Sequence, residues 1–179
     1  MIKVVAGITR SGLTATMQML SAGGYPCFGG WPAFEQYALG NLPWAECSGK
    51  AVKLVDTQLQ WPPEGEYQVI RLARNLQHQA DSLNKWNEVF GIPRVPRETY
   101  VRSLVRDYAA IDKWAEQQSR RTIVHFSDII EKPRSVAQFL SGWLGADLDV
   151  ERMAGVIVPR AIGCHPGLLE LSMTDEYQA

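Results

Sequence analysis

The fold is decided by residues 7–14, Gly7-Ile8-Thr9-Arg10-Ser11-Gly12-Leu13-Thr14, which follow an apolar segment at residues 2–6 and precede a helical pattern. The two glycines and the final threonine fit the phosphate-loop pattern G-x-x-x-x-G-K-[ST]. In that pattern, successive backbone N–H groups curl round an oxyanion in front of a helix N-terminus. The lysine of the pattern is replaced by Leu13, and the cation is Arg10, inside the loop. The loop therefore predicts an anion cradle whose chemistry differs from ordinary ATP or GTP hydrolysis.

The composition excludes several classes of protein. The chain has 179 residues, of which 46% are apolar and 21% are charged, and its formal net charge is −1. These values are typical of one globular domain, which we expect to span residues 1–179, and they do not indicate nucleic-acid binding. The chain lacks both a signal-peptide pattern and the roughly 20 apolar residues of a membrane span, so we expect a cytoplasmic protein. The cysteines have neither disulfide-framework nor zinc-site spacing; they are Cys27, Cys47 and Cys164.

Strand and helix patterns alternate along the chain. Apolar segments predict strands at residues 2–6, 51–55, 67–73 and 121–126, and residues 25–28 fit a further short strand. This order predicts a three-layer α/β/α fold with a mostly parallel central sheet, like that of P-loop nucleoside-triphosphate hydrolases. Ligands of such sheets bind beyond the carboxyl ends of the strands.

Two of the predicted helices carry apolar positions that we expect to face the core. The first is capped by Asn75, and the second begins near Arg97. The apolar positions of the first helix are Leu76, Leu83, Trp86 and Phe90, and those of the second are Val101, Leu104, Val105, Tyr108, Ile111 and Ala115.

A second strand-to-helix junction supplies another candidate anion site. The segment Val69-Ile70-Arg71-Leu72-Ala73-Arg74-Asn75 ends a predicted strand, and Ser82 lies about two turns into the following helix. Helical side chains lean towards the N-terminus, so the Ser82 hydroxyl can face the turn that holds Arg74 and the free N–H groups of the helix. Both side chains are therefore predicted to face one anion.

With these two motifs the chain resembles the sulfotransferases that use 3′-phosphoadenosine-5′-phosphosulfate (PAPS), especially their small bacterial and phage-like members. Their opening loop reads like G-x-P-R-S-G-T-[ST], and their second motif is an Arg at a strand end with a Ser eight positions later. The likeness covers most of the chain. It implies a PAPS-dependent enzyme that releases the bisphosphate PAP. The implied contacts to the 5′-phosphosulfate are Gly7, Thr9, Arg10, Ser11, Gly12, Leu13 and Thr14, and those to the 3′-phosphate are Arg74 and Ser82.

The chain departs from the family pattern at two loop positions. Thr9 replaces the usual Pro, and Leu13 replaces the usual first Thr, so one hydroxyl ligand is lost. The backbone N–H at position 13 still provides a hydrogen-bond donor for an oxyanion.

Sulfuryl transfer needs a base for the proton of the acceptor and donors for the charge that gathers on the departing phosphate. Arg10 and the loop N–H groups fit the second role. Many relatives use a Glu after the first helix, which implies Glu35, in Gly30-Trp31-Pro32-Ala33-Phe34-Glu35, as the catalytic base. Other relatives use His. The alternatives in this chain are His78, His125, which as a strand residue fits a hydrogen-bonded core position better, His165, Glu46 and Asp56.

Further residues are expected near the nucleotide or the acceptor. Trp31, Trp44 and Trp61 lie in loops that we expect near the mouth of the site, where aromatic faces hold flat groups, although ordinary packing also explains them. The resemblance implies that Arg160 reaches the nucleotide, as C-terminal basic residues do in relatives.

Three functions stay open at this point. The first is sulfuryl transfer from PAPS to a hydroxyl or amine of a small molecule or glycan, without a metal, because sulfuryl transfer carries less charge than phosphoryl transfer. The second is a small P-loop kinase, in which Arg10 would replace the lysine and Asp56 would hold Mg²⁺. The third is a catalytically silent nucleotide-binding protein of the same fold. The acceptor and the oligomeric state stay open as well.

Overall fold

Four parallel strands form the central sheet. The computed structural model describes residues 1–34, 42–160 and 162–163. Strands β1 (Ile2–Gly7), β2 (Ala51–Val55), β3 (Tyr67–Ala73) and β4 (Arg120–His125) lie in the order β2-β1-β3-β4. Every neighbouring pair is parallel, as predicted, so the carboxyl ends of all four strands meet at one edge of the sheet.

The helices cover both faces of this sheet. They are α1 (Leu13–Ala22), α2 (Leu76–Val89), α3 (Arg97–Ala115), α4 (Phe126–Glu131), α5 (Pro133–Leu144) and α6 (Val150–Gly155), with 3-10 turns at Trp44–Cys47 and Thr57–Leu59. No described helix combines the length and the apolar composition that crossing a membrane requires.

Neighbouring residues of β1 belong to different cores, because successive strand side chains point to opposite faces. Val5 packs in a cluster with Leu20, Ile129 and other residues of α1, α4, α5 and α6. Val4 packs in a second cluster with Ile111 and other residues of α3. The predicted three-layer α/β/α fold is therefore confirmed.

The buried side of α2 differs in part from the prediction. Leu76 and Leu83 pack, partly buried, against the second core cluster, as predicted. Phe90 follows the helix and is 41% exposed, whereas the buried residues of α2 are mostly polar: Gln79, Ala80, Ser82, Asn84 and Asn87. Three of these side chains, those of Gln79, Asn84 and Asn87, bond to backbone groups of loops, which need hydrogen-bond partners when they are buried. Asn84, for example, donates to the Val95 carbonyl and accepts from its N–H, both at 2.8 Å. The predicted cap is confirmed, because the Asn75 side chain accepts from the N–H groups of residues 77 and 78.

Three smaller predictions were wrong. Residues 25–28 form an isolated bridge between Cys27 and Ala51 instead of a strand. Val105 of α3 is exposed, because the buried stripe of that helix runs through its neighbours Leu104 and Tyr108. His125 ends β4 at the surface and is not a core histidine.

Trp44 and Trp61 lie away from the phosphate loop, contrary to our expectation. The Trp44 ring is 5.9 Å from that of Tyr67, and the Trp61 ring is 5.9 Å from that of Trp114, which itself neighbours Tyr67. Tyr67 begins β3 and pairs with Ile2, so this aromatic cluster lies at the amino edge of the sheet. The two tryptophans therefore take the packing role.

Candidate anion-binding site

The phosphate loop joins the carboxyl end of β1 to α1, the context that the pattern requires. Gly12 has φ 106, in the left-handed region that favours glycine. A Cβ at Gly12 would lie 2.8 Å from Cδ2 of Phe126, and a Cβ at Gly7 would lie 2.6 Å from Oγ of Ser11. Both glycines are therefore required by close approach, and they hold the loop in a tight curl.

Asp56, which follows β2, fixes the loop from one side. Its carboxylate accepts from the backbone N–H of Thr9 at 2.8 Å and from the Thr9 hydroxyl at 2.8 Å. Beside this pair, the N–H of Gly7 donates to the Thr57 hydroxyl at 3.1 Å. The Thr9 side chain, which the resemblance assigned to the nucleotide, thus bonds to the protein. Each oxygen of Asp56, which the kinase alternative assigned to Mg²⁺, already accepts a hydrogen bond.

A chain of side chains from α2 and α3 fixes the loop from the other side. Gln79 is buried, donates from its Nε2 to the Thr9 carbonyl at 2.9 Å and accepts from the Tyr108 hydroxyl at 2.8 Å. Burial raises the pKa of Tyr108 to about 12, while its hydrogen bond to Gln79 opposes that shift. The Arg71 guanidinium lies 4.4 Å from the Tyr108 ring and forms a two-pronged ion pair with Asp112. The backbone of Thr9 is therefore held from two sides.

Arg10 and Arg74 meet in space, as the sequence predicted. Nη1 of Arg74 donates to the backbone carbonyl of Arg10 at 2.7 Å, across 64 positions of sequence. Nε of Arg10 donates to the hydroxyl of the buried Ser82 at 3.1 Å, and its guanidinium lies 5.5 Å from the Trp86 ring. The two motifs thus lie side by side at the carboxyl edge of the sheet.

Phe126, the first residue of α4, connects the loop to a third arginine. The guanidinium carbons of Arg74 and Arg160 lie 4.2 Å and 5.6 Å from the centre of its ring. Burial lowers the pKa of Arg160, and its Nε is buried without a hydrogen-bond partner among the described residues. Nη2 of Arg74 donates to the carbonyl of Gly163 at 3.1 Å, so the C-terminal segment approaches the same place. Two guanidinium groups therefore meet at the Phe126 ring, beside the loop that carries Arg10, and an anion would suit them.

A lysine that sequence reasoning missed also reaches the loop. Lys53 of β2 is 8% exposed, and its Nζ donates to the Thr14 hydroxyl at 2.9 Å and to the Ala33 carbonyl at 2.8 Å. The signal was present, because a lysine stands in the middle of the otherwise apolar strand Ala51–Val55. Lysine is rarely buried unless its charge is used or satisfied.

The candidates for a catalytic base are distributed differently. Glu35 and His165 lie outside the described residues. His78 is half-buried on α2, and Glu46 is exposed in the turn that packs Trp44 against Tyr67, away from the loop. Among residues 1–34, 42–160 and 162–163, no group of three His, Cys, Asp or Glu side chains is placed to hold a metal ion.

Comparison with known proteins identifies the fold. No protein-family model matches the chain, and no curated protein matches it in sequence. Among solved structures, it is similar to mouse sulfotransferase SULT7A1 complexed with PAP, with a TM-score of 0.60 and 11% sequence identity. The match covers 86% of this chain and 61% of the mouse chain. The protein therefore has the sulfotransferase fold, the P-loop-like fold that its opening residues predicted.

Proposed function

We propose that this protein is a sulfotransferase that moves a sulfuryl group from PAPS to a hydroxyl or amine of a small molecule or glycan. The observation that carries the proposal is the hydrogen bond of 2.7 Å from Arg74 to the backbone of Arg10. It brings the phosphate loop and the end of β3, our two candidate anion sites, into contact. A solved structure with the same fold is a sulfotransferase complexed with PAP, a nucleotide with a phosphate at each end.

The charges suggest how such a nucleotide is oriented. We assign its 5′ end to Arg10, Thr14 and the N–H groups of the phosphate loop, because a helix N-terminus and a curled backbone favour an oxyanion. We assign its 3′-phosphate to Arg74 and Arg160, since guanidinium groups bind phosphate through two parallel hydrogen bonds. We assign Ser82 to the same phosphate, because its hydroxyl, which accepts from Arg10, keeps its own proton to donate. The buried Nε of Arg160, which has no partner among the described residues, supports this assignment.

The transfer step then follows from the chemistry of the donor. The acceptor oxygen or nitrogen forms a bond to sulfur, while the bond from sulfur to the bridging phosphate oxygen breaks and PAP leaves. The proton of the acceptor passes to a base, for which Glu35 is our candidate. Arg10 and the loop N–H groups stabilise the negative charge that gathers on the departing phosphate. The protein belongs, on this proposal, to the enzymes that need no metal for this step.

Calorimetric titration tests the nucleotide preference. We expect the protein to bind PAP more tightly than ATP with Mg²⁺; preference for ATP with Mg²⁺ would favour a kinase instead.

Arg74→Ala tests the assignment of the 3′-phosphate. It should lower the affinity for PAP far more than that for adenosine-5′-phosphosulfate, which lacks the 3′-phosphate, and equal losses would refute the assignment of Arg74. Arg102→Ala on the exposed side of α3 is the matched control and should leave both affinities unchanged.

Glu35→Ala tests the assignment of the base separately. Once PAPS turnover with an acceptor is measured, this substitution should lower the turnover while the affinity for PAP stays the same. Unchanged turnover would remove Glu35 from the mechanism without affecting the nucleotide assignment.

A further inference from the structure

Lys53 projects from the sheet onto the face that α1 covers. It pairs with Val5 in the register of β1 and β2, and Val5 belongs to the core beneath α1. Its ammonium group reaches the first turn of α1, where Nζ lies 2.9 Å from Oγ1 of Thr14. A positive charge from a neighbouring strand therefore lies beside the end of the phosphate loop, next to Leu13, the position where the loop lacks its lysine.

The direction of this hydrogen bond determines what Thr14 offers to a ligand. An ammonium group has donors only, so the Thr14 hydroxyl accepts from Lys53 and its own proton points to another acceptor. A charged donor also polarises the hydroxyl, and hydrogen bonds that involve an ionised group are about twice as strong as neutral ones. Thr14 lies in the first turn of α1, where backbone N–H groups also lack intrahelical partners. The site is thus arranged to donate to an oxyanion.

The second contact of Lys53 extends to the segment before the candidate base. Nζ donates to the Ala33 carbonyl at 2.8 Å, while Nε2 of Gln18 in α1 donates to the Pro32 carbonyl at 3.1 Å. Phe34, the next residue, is buried. Residues 32–34 are therefore fastened to α1 and β2, and Glu35 follows them directly in the sequence.

We propose that Lys53 is a positioning residue that supplies, from β2, the positive charge absent at position 13, and acts through the Thr14 hydroxyl on the 5′ end of the bound nucleotide. The inference rests on the proposed function and adds a residue to that site. Its contact to Ala33 links the same charge to the segment that leads to the acceptor side.

Two ligands that differ only at the 5′ position test the inference. PAP carries both phosphates, and adenosine 3′-monophosphate lacks the 5′-phosphate. We expect Lys53→Met to lower the affinity for PAP about tenfold or more, because one hydrogen bond to a charged group is lost. The affinity for adenosine 3′-monophosphate should stay unchanged. Lys50→Met, at the lysine that precedes β2, is the matched control and should change neither affinity.

The role of Thr14 gives a second readout that a purely structural lysine would not affect. Thr14→Val should lower the affinity for PAP by a similar factor, and Thr14→Ser should retain that affinity because it keeps the hydroxyl. If Lys53 acts through Thr14, Lys53→Met should have little further effect in the Thr14→Val background, whereas additive losses would overturn the inference. Should Lys53→Met fail to fold, the Thr14→Val and Thr14→Ser pair decides, and equal PAP affinity for both would overturn it.

The outcomes separate the two proposals. If the unaltered protein does not bind PAP, the proposed function fails and the inference fails with it. If the unaltered protein binds PAP, two results refute only the role of Lys53. In the first, Lys53→Met binds both ligands as tightly as the unaltered protein does; in the second, its affinities for the two ligands fall by the same factor.

Discussion

The pair formed by Thr9 and Asp56 gives the sharpest prediction about what holds the phosphate loop. Asp56 lies at the carboxyl end of β2, 47 positions from Thr9, and its two oxygens accept from the Thr9 N–H and the Thr9 hydroxyl. Its own backbone is left-handed, with φ 49 and ψ 53. Substitution of Asp56 therefore tests two effects together, the loss of the carboxylate and the cost of this conformation.

The magnitude follows from these contacts. A hydrogen bond to a charged group contributes about 1.5 to 3 kcal/mol, and because this pair is only half-buried we take the lower value twice, about 3 kcal/mol. The left-handed conformation costs alanine about 1 kcal/mol more than glycine. Asp56→Ala should therefore lower the free energy of unfolding by about 3 to 4 kcal/mol. Asp56→Gly should lower the free energy of unfolding by about 1 kcal/mol less than Asp56→Ala does. Asp56→Asn should lower it by only about 1 kcal/mol, because asparagine still accepts from the N–H and suits the left-handed region.

Urea denaturation of the three variants measures this order. We expect stability to fall in the sequence Asn, Gly, Ala, and Thr9→Val, which removes one of the two bonds, to cost about 1.5 kcal/mol. In the Asp56→Ala background the effect of Thr9→Val should nearly disappear, because its partner is already gone. The reasoning is refuted if Asp56→Ala stays within about 1 kcal/mol of the unaltered protein, or if the two substitutions add.

Four further predictions concern Tyr108, two cysteine thiols and Gly12. Tyr108→Phe should cost about 1 kcal/mol by removing the hydrogen bond to Gln79. Burial also raises the pKa of Tyr108 to about 12. The free energy of unfolding of the unaltered protein should therefore fall as the pH rises from about 10 through about 12. Ultraviolet titration of tyrosinate measures this, and ionisation of all tyrosines together near pH 10 would contradict it. Burial raises the pKa of Cys27 to about 12 and also raises that of Cys47, so neither thiol should be alkylated in the native protein at neutral pH, and rapid labelling of either in mass spectrometry would disprove it. Gly12→Ala should destabilise the protein by about 2 to 4 kcal/mol, since φ 106 and the contact with Phe126 both oppose a Cβ. When Phe126→Leu is added to this variant, chemical denaturation should show recovery of only the part of the loss that is due to the contact.

A local pattern was sufficient to predict the loop, and the sheet topology was sufficient to predict that Arg10 and Arg74 lie close together. The glycine spacing of residues 7–14 fixes a strand-loop-helix unit by short-range geometry, and the structure has β1, the loop and α1 at those positions. Arg74 could be placed near Arg10 because parallel strands bring their carboxyl ends to one edge. Neither inference needs knowledge of individual side-chain contacts.

The side chains that support the loop could not be predicted in this way. Lys53 meets Thr14 across 39 positions, and Gln79 meets Thr9 across 70. No local period relates such partners, since each contact depends on how loops pack against helices. The apolar pattern did not predict the buried polar residues of α2 for the same reason: Gln79, Asn84 and Asn87 bond to backbone groups of other segments, which the sequence does not mark.

The tryptophans show where loop position is ambiguous. Trp44 precedes β2 and Trp61 precedes β3, so each lies on a connection that returns to the amino edge of the sheet. A connection after a strand begins at the carboxyl edge, and only the half nearest that strand lies beside the ligand. Trp31 differs, because the segment that holds it is fastened to Lys53 through the Ala33 carbonyl.

The two departures of the loop from the sulfotransferase pattern that it resembles have counterparts on β2. Where the pattern has Pro, Thr9 holds the loop to Asp56 by two hydrogen bonds, so a side-chain contact supplies the rigidity that a proline ring would supply through its fixed φ. Where the pattern has a polar residue, Leu13 is buried in the core, and Lys53 brings a positive charge to the adjacent hydroxyl. Both counterparts lie on or directly after one strand, which is paired with β1 along its whole length. Thr9→Pro, which restores the pattern, should therefore destabilise this protein, because proline has no N–H to donate to Asp56. Thermal denaturation measures the effect. A Thr9→Pro variant as stable as the unaltered chain would show that β2 does not hold the loop.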